Sequence, residues 1–153
     1  MLNVRNLSLT VPGQPERLLL DRVSLHLDYG EKLAVLGANG AGKSSLLKCI
    51  SGENPGYQGD ILLDHLPLQH WSPLQKARQL AVMPQKVELA FPFRVGQVVA
   101  LGRAPYGDEE SSAAVQRAAM HCTDVWHLRS RTYTSLSGGE QQRVQLARVL
   151  TQI

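Results

Sequence analysis

The stretch Gly37-Ala38-Asn39-Gly40-Ala41-Gly42-Lys43-Ser44 decides which fold this chain can adopt. Two glycines are separated by four residues, and lysine and serine follow the second one, which is the phosphate-loop pattern. The apolar run at residues 33–36 predicts a strand buried on both faces. Apolar residues at helical spacing follow the loop, and Gly52 is placed to end that helix. Strand, glycine loop and helix therefore come in the order that phosphate binding requires.

The chemistry of the loop follows from its residue types. Its glycines let the backbone bend so that successive N–H groups point into one hollow, where the helix N-terminus also favours a polyphosphate. Lys43 would bring a positive charge to the β and γ phosphates, and the Ser44 hydroxyl could bind the Mg²⁺ that bridges them. We predict phosphate contacts from Gly37, Ala38, Asn39, Gly40, Ala41, Gly42, Lys43 and Ser44.

Length and composition bound the class of protein. The chain has 153 residues, a length typical of one domain, and 43% of them are hydrophobic. No apolar run approaches the roughly 18 residues of a spanning helix, and no apolar block follows Arg5 as in a secretory signal, so we expect a cytoplasmic protein. The net charge is +3 and the basic residues are spread out. That spread argues against nucleic-acid binding and fits a phosphate ligand or a site near an anionic bilayer.

Cysteine and histidine spacing gives no metal site. Cys49 and Cys122 are far apart and belong to no CxxC pair, which predicts two reduced, buried thiols. The five histidines lack metal-ligand spacing.

Alternating patterns predict the strands. Apolar residues alternate with polar ones at residues 7–11 and 23–27, which predicts an antiparallel ribbon joined by a turn at residues 12–15. A short strand is expected at residues 60–64. Because it ends in Asp64, that carboxylate is an alternative Mg²⁺ ligand. A second buried strand is expected at residues 80–83, ended by Pro84, with Gln85 at its tip.

Capping residues and apolar spacing predict the helices. Ser72, with Pro73 and Gln75 behind it, should start one helix, and Asp108-Glu109-Glu110 should start another. A capping box of Ser137 and Glu140 should start the last one. Three inward faces are predicted: Val95, Val98, Val99 and Gly102; Val115, Ala118, Ala119 and Cys122; and Leu146, Val149, Leu150 and Ile153. An exposed aromatic segment, Phe91-Pro92-Phe93-Arg94, precedes the first of them.

The segment Leu136-Ser137-Gly138-Gly139-Glu140-Gln141-Gln142-Arg143 resembles the signature sequence of ATP-binding cassette (ABC) transporter ATPases. With the phosphate loop and Gln85, three motifs stand in the family's order, and the resemblance covers essentially the whole chain. It implies an α/β fold: a P-loop NTPase core of the RecA-like type, an antiparallel β subdomain and a helical subdomain. The β subdomain and phosphate loop would occupy about residues 1–85, and the helical subdomain about residues 86–153.

The resemblance also implies residue roles, with ATP and Mg²⁺ as ligands. Gln85 would contact Mg²⁺ and the attacking water, which makes it the candidate catalytic residue, and Ser45 would add a phosphate contact beside Ser44. The signature residues Ser137, Gly138, Gly139 and Glu140 would serve the ATP of a second subunit, so a head-to-tail homodimer is implied. A capped helix N-terminus built of small residues can approach an anion closely, which makes this role physically sensible.

The segments Phe91-Pro92-Phe93-Arg94-Val95 and Gly102-Arg103-Ala104-Pro105-Tyr106 are similar to those of iron-siderophore, cobalamin and hemin importers, and most similar to the hemin importers. This implies a peripheral ATPase on the cytoplasmic face of the bacterial inner membrane. Its partners would be a membrane permease and, indirectly, a periplasmic hemin-binding protein. Nothing in the chain itself would touch heme.

Two departures from the family pattern matter. Val11 and Pro12 occupy the region where the family usually places an aromatic residue against adenine. No acidic residue follows Glu140, so the family's Mg²⁺-binding Asp, its catalytic Glu and its switch His have no counterpart in these 153 residues. The C-terminal part of the core is therefore expected to be missing.

Three hypotheses remain open at this stage. The complete protein could hydrolyse ATP to drive hemin import, or the chain as given could bind nucleotide without hydrolysing it. A cassette protein acting on chromosomes or ribosomes is the third hypothesis, which the importer-like segments at residues 91–95 and 102–106 disfavour. We also expect poor stability of the isolated chain, because the strand that would lie beside residues 33–36 is absent.

Overall fold

The computed structural model describes residues 1–11, 13–84, 91–107 and 112–153, apart from the side chain of Pro15. The chain divides into two compact units, Met1–Ser72 and Pro73–Ile153. This division assigns residues 73–84 to the second unit, whereas the sequence analysis drew the boundary at about residue 85.

The first unit contains an antiparallel sheet with the strand order β2-β1-β3-β4. Its strands are β1 (Leu2–Val11), β2 (Gln14–Leu27), β3 (Gln58–Leu63) and β4 (Leu66–Pro67), and a 3₁₀ turn follows at Leu68–His70. β1 pairs with β2 along most of its length, and Leu7 and Leu9 are buried. The predicted ribbon is confirmed, and so is a strand ending just before Asp64.

The helix predicted after the glycine loop is α1 (Lys43–Ser51). It ends as the sequence indicated, because Gly52 adopts a left-handed conformation and its N–H donates to the Cys49 carbonyl. Leu46 and Cys49 are buried on the inner side of the helix.

The two strands predicted from continuous apolar runs are not formed. Residues 33–36 and 80–83 have no described β pairing, and Leu33, Val35, Leu36, Val82 and Met83 are exposed. A strand needs hydrogen-bonded neighbours, and none of the four described strands pairs with either segment. Apolar composition alone therefore predicted the wrong secondary structure for these two segments.

The second unit is helical. Its helices are α2 (Pro73–Gln79), α3 (Val95–Ala100), α4 (Ser112–Cys122) and α5 (Gly138–Gln152), with 3₁₀ turns at Leu101–Tyr106, Trp126–Leu128 and Tyr133–Ser135. α2 begins at Pro73, as the capping pattern predicted. The acidic start predicted at residues 108–110 lies outside the described residues.

The core of the second unit lies between α3, α4 and α5. It consists of Val95, Val98, Val99, Met120, Val125, Leu128, Tyr133, Leu136, Val144 and Ala147, with Phe93 and Trp126 packed against it. The inward face predicted for α3 is confirmed. In the preceding aromatic segment Phe91 is exposed, as expected, whereas Phe93 is half-buried.

The inward face predicted for α5 is wrong, and the one predicted for α4 is right only in part, since Ala119 is buried and Val115 is half-buried. In α4 the buried residues are Ala119 and Met120, whereas Ala118 and Cys122 are exposed, so only one of the two thiols is buried as predicted. In α5 the buried residues are Val144, Gln145, Ala147 and Thr151, whereas on the predicted face Leu146, Leu150 and Ile153 are exposed and Val149 is half-buried. Each helix carries more than one apolar stripe, and packing against its neighbours selects the buried one.

Among the described residues, no helix has the length and apolar character needed to span a bilayer.

Candidate nucleotide-binding site

The glycine loop runs directly into α1. Within it the Ala41 N–H donates to the Ala38 carbonyl at 3.2 Å, and the first helical bond joins the Leu46 N–H to the Gly42 carbonyl at 2.9 Å. Gly40 and Gly42 have φ values of 84° and 86°, which L-residues rarely adopt. The sequence predicted these turns because glycine supplies that conformation.

Gly42 fixes the loop against strand β2. A Cβ atom at this position would lie 2.8 Å from the Leu19 carbonyl oxygen and 2.9 Å from Leu20 Cδ2. The loop can approach the strand this closely only because residue 42 lacks a side chain. Sequence reasoning missed this contact, although the apolar run at residues 18–20 was a signal that it did not use.

The N-terminus of α1 is open to a ligand. Gly42 caps the helix without any side-chain hydrogen bond, so side chains leave the amides of the first turn uncapped. Ser44 in that turn is exposed, Ser45 is half-buried, and residues 37–41 are exposed. The amides and the helix dipole together favour an anion at this point.

The Lys43 side chain folds back over its own loop. Its Nζ donates to the Gly37 carbonyl at 2.7 Å and to the Ala38 carbonyl at 2.8 Å. These bonds hold the ammonium group against the loop. Polyphosphate oxygens can replace neutral carbonyls as acceptors and gain from the full charge of the ammonium group.

The second candidate element is the start of α5. The Ser137 N–H and hydroxyl donate to Glu140 Oε2 at 2.8 and 2.7 Å, and the Glu140 N–H donates to Ser137 Oγ at 3.4 Å. The predicted capping box is therefore confirmed. These hydrogen bonds from Ser137 lower the pKa of the Glu140 carboxyl, with smaller contributions from the positive charges of Arg131 and Arg143.

The glycines between Ser137 and Glu140 leave the helix end accessible. Gly138 and Gly139 are exposed, and a Cβ added at either position would meet nothing within 4 Å. Their N–H groups precede the first intrahelical bond of a 15-residue helix. This end of α5 can therefore accept an anion at close range.

Of the two other residues raised by the sequence, the structure describes Asp64, whose two hydrogen-bond donors lie outside the loop. Gln85 lies outside the described residues. Asp64 Oδ1 accepts hydrogen bonds from the Met1 ammonium and from the Tyr29 hydroxyl, each at 2.6 Å. Hydrogen bonds from those two donors lower the pKa of Asp64, the ammonium contributing most, and this role explains the residue without a metal.

Comparison with known proteins gives a consistent result. The family model described as ABC transporter matches residues 20–152. The chain is 50% identical over 158 aligned residues to the hemin import ATP-binding protein HmuV of Pseudomonas fluorescens strain Pf-5, and that alignment covers the whole chain and 59% of the relative. It is 49% identical over 139 residues to the protein of the same name from Myxococcus xanthus strain DK1622, covering 88% of the chain and 51% of the relative. The chain thus spans little more than half the length of these curated relatives.

Solved structures agree on the fold. The ATP-binding subunit of an ABC transporter superposes with a TM-score of 0.83 at 26% identity, covering 99% of this chain and 62% of that one. The protein cbiO1 from Clostridium perfringens, part of the ABC transporter complex cbiONQ, gives a TM-score of 0.84 at 26% identity, covering 99% and 61%. The expected α/β fold with an antiparallel sheet and a helical unit is confirmed.

Proposed function

Because the chain belongs to the ABC transporter family, we propose that residues 1–153 form the nucleotide-binding part of an importer's ATP-binding subunit. The observation that carries this proposal is the loop at residues 37–44. Two glycines in left-handed conformations lead into a helix without a side-chain cap, and Lys43 lies against the same loop. A triphosphate is the ligand that matches several amides and one cation in so small a space.

In this proposal ATP is bound together with Mg²⁺. The exposed Ser44 hydroxyl in the first turn of α1 is a hard oxygen donor of the kind that Mg²⁺ accepts, and Gln85 would supply a second oxygen. The bound ion would neutralise charge on the phosphates. Gln85 would also orient the attacking water, and Ser45 would add a phosphate contact.

The capped start of α5 would serve a second nucleotide. Ser137 and Gly139 would contact the γ-phosphate held by a second copy of the subunit, with Gly138 and Glu140 in the same signature segment, so that two copies enclose two ATP molecules. The open approach to Gly138 and Gly139 supports this arrangement. A membrane permease would bind the dimer at the cytoplasmic face of the inner membrane, with a periplasmic binding protein delivering the substrate.

Hemin is the proposed transport substrate. The support is the name shared by relatives that are 49–50% identical to the chain, together with the segments at residues 91–95 and 102–106. Iron-siderophore or cobalamin import is the alternative within the same group of importers.

Calorimetry with MgATP tests the nucleotide site. The Lys43→Ala variant should bind MgATP roughly 10- to 100-fold more weakly, since a hydrogen bond to a charged group contributes about 1.5–3 kcal/mol. Lys48→Ala is the matched control, because Lys48 is an exposed lysine in the last turn of the same helix. Equal binding by both variants and the unchanged chain would contradict the proposal.

Residues 1–153 by themselves should bind nucleotide without turning it over. Losing a positioned general base costs on the order of 10²–10⁴-fold in rate, and losing a Mg²⁺ ligand lowers the rate further. A steady-state phosphate-release assay measures this. Turnover by these residues that Lys43→Ala abolishes would refute the expectation.

A further inference from the structure

The Ser137 hydroxyl has one proton and two competing acceptors if the proposed function holds. In the structure the hydroxyl donates this proton to Glu140, with 2.7 Å between Ser137 Oγ and Glu140 Oε2. The same carboxylate oxygen also accepts the Ser137 N–H, at 2.8 Å. A carboxylate can only accept, so the direction of the hydroxyl bond is fixed by chemistry. A phosphate at this helix end would need the same hydroxyl proton.

Charge adds to this competition. A carboxylate in the first turn of a helix is stabilised by the positive end of the dipole, which is also the feature that attracts a phosphate. Two anions at one helix end repel each other. The open amides of Gly138 and Gly139 lie within the same turn as Glu140, so this repulsion acts at short range.

We propose that Glu140 is a positioning residue that holds the Ser137 hydroxyl away from the second subunit's nucleotide, so that releasing it is a step in closing the dimer. The proposal rests on the proposed function of the signature segment. Arg131 and Arg143 supply positive charge near the carboxylate, and they can keep it stabilised once Ser137 has turned to the phosphate.

The test is MgATP-dependent self-association of the full chain, measured by sedimentation velocity. Glu140→Gln keeps an amide oxygen that can accept from the Ser137 N–H, but removes the charge and the stronger acceptor. It should associate several-fold more tightly in MgATP than the unchanged chain does. The double variant Ser137→Ala/Glu140→Gln should lose most of this gain, because the freed hydroxyl is then absent.

A purely structural role for Glu140 predicts a different pattern. In that case Glu140→Gln would be neutral or would weaken association, and the double variant would show no coupling between the two positions. Either result overturns the proposal, and so does a lack of association in both the unchanged chain and Glu140→Gln. Amide hydrogen exchange of α5 checks that the helix is retained in each variant.

The same samples separate this proposal from the proposed function. MgATP binding at the phosphate loop is measured by calorimetry and does not require Glu140. Failure of MgATP binding contradicts the proposed function. Normal MgATP binding and association of the unchanged chain, without tighter association of Glu140→Gln, contradicts the role of Glu140 alone.

Discussion

At the scale of single residues, the position of the phosphate loop depends on one crowded glycine. Gly42 has a φ of 86°, and a Cβ there would lie 2.8 Å from the Leu19 carbonyl oxygen. We expect Gly42→Ala to lower the free energy of opening of α1 and β2 by about 1–3 kcal/mol, through backbone strain and overpacking. Amide hydrogen exchange of these two elements measures the effect.

Gly40→Ala is the control for this prediction. Gly40 has a similar φ of 84°, but a Cβ there would meet nothing within 4 Å. It carries the strain without the contact, so its effect should be smaller. Equal effects of the two substitutions would show that the contact with β2 contributes nothing.

Asp64 should make the stability of the first unit depend on pH in the acid range. The Met1 ammonium and the Tyr29 hydroxyl lower its pKa, so the unfolded chain binds this proton more readily than the folded one. The stabilisation is therefore present above about pH 4, the usual aspartate range, and is lost as the pH falls through the lowered value. We expect this stabilisation to be less than about 1 kcal/mol, because the ion pair between Met1 and Asp64 is only partly buried.

Hydrogen exchange of β1 and β3 between pH 3 and pH 7 checks this prediction in Asp64→Asn. The variant should be less protected than the unchanged chain at pH 7, with the difference closing toward pH 3. Asp21→Asn is the control, since Asp21 pairs with Arg22 at the exposed surface. A difference that stays constant with pH would mean that the charge of Asp64 is not involved.

Residue types predicted the backbone conformation of the loop but not its internal hydrogen bonds. Glycine at positions 40 and 42 indicated the left-handed turns that the structure shows, because conformational freedom is a property of the residue itself. The phosphate contact that Lys43 indicated stays a prediction. The bonds from Lys43 to the Gly37 and Ala38 carbonyls could not be predicted, since they depend on where the folded loop places them. The predicted burial of Cys122 was wrong for the same reason.

At the scale of secondary-structure elements, helical spacing predicted helices but chose the wrong stripe of α5. Its residues 146, 149, 150 and 153 are more apolar than its buried face, where Gln145 and Thr151 accompany Val144 and Ala147. Thr151 donates its hydroxyl to the Ala147 carbonyl at 2.6 Å, and Gln145 donates to the Tyr133 hydroxyl at 3.0 Å. Because these bonds pair most of the buried polar groups, polar residues can lie inward.

Substitutions on the two faces of α5 should therefore differ in effect. Val144 is fully buried, so Val144→Ala should cost about 1.5–3 kcal/mol in the free energy of opening of α5. Leu150 is 36% exposed, and Leu150→Ala should cost less although it removes more carbon atoms. Hydrogen exchange of the α5 amides compares the two variants directly. A larger cost for Leu150→Ala would support the buried face that the sequence analysis predicted.

At the scale of the whole molecule, three ordered motifs were enough to predict the family and the general fold. They could not predict the state of residues 33–36 and 80–83, because a buried strand depends on neighbours elsewhere in a protein. In the structure these segments lack described strand partners, and the Leu36 side chain is 89% exposed. Single apolar side chains at a surface are common, but several together mark an uncovered face.

The isolated chain should therefore unfold without one sharp transition. Uncovered apolar surface at residues 33–36 and along α5 reduces the buried area that makes unfolding cooperative. Thermal unfolding followed by circular dichroism, together with binding of a hydrophobic dye, measures this. A single steep transition of a monomer that binds no dye would contradict the expectation.

The central claim is that the loop amides and Lys43 bind the phosphates of a nucleoside triphosphate. Its most direct test is a titration of the ¹⁵N-labelled chain with MgATP, followed by the amide chemical shifts. The account predicts the largest changes at Gly40, Gly42, Lys43 and Ser44, and their loss in Lys43→Ala. Loop amide chemical shifts that stay unchanged at saturating MgATP would contradict this claim.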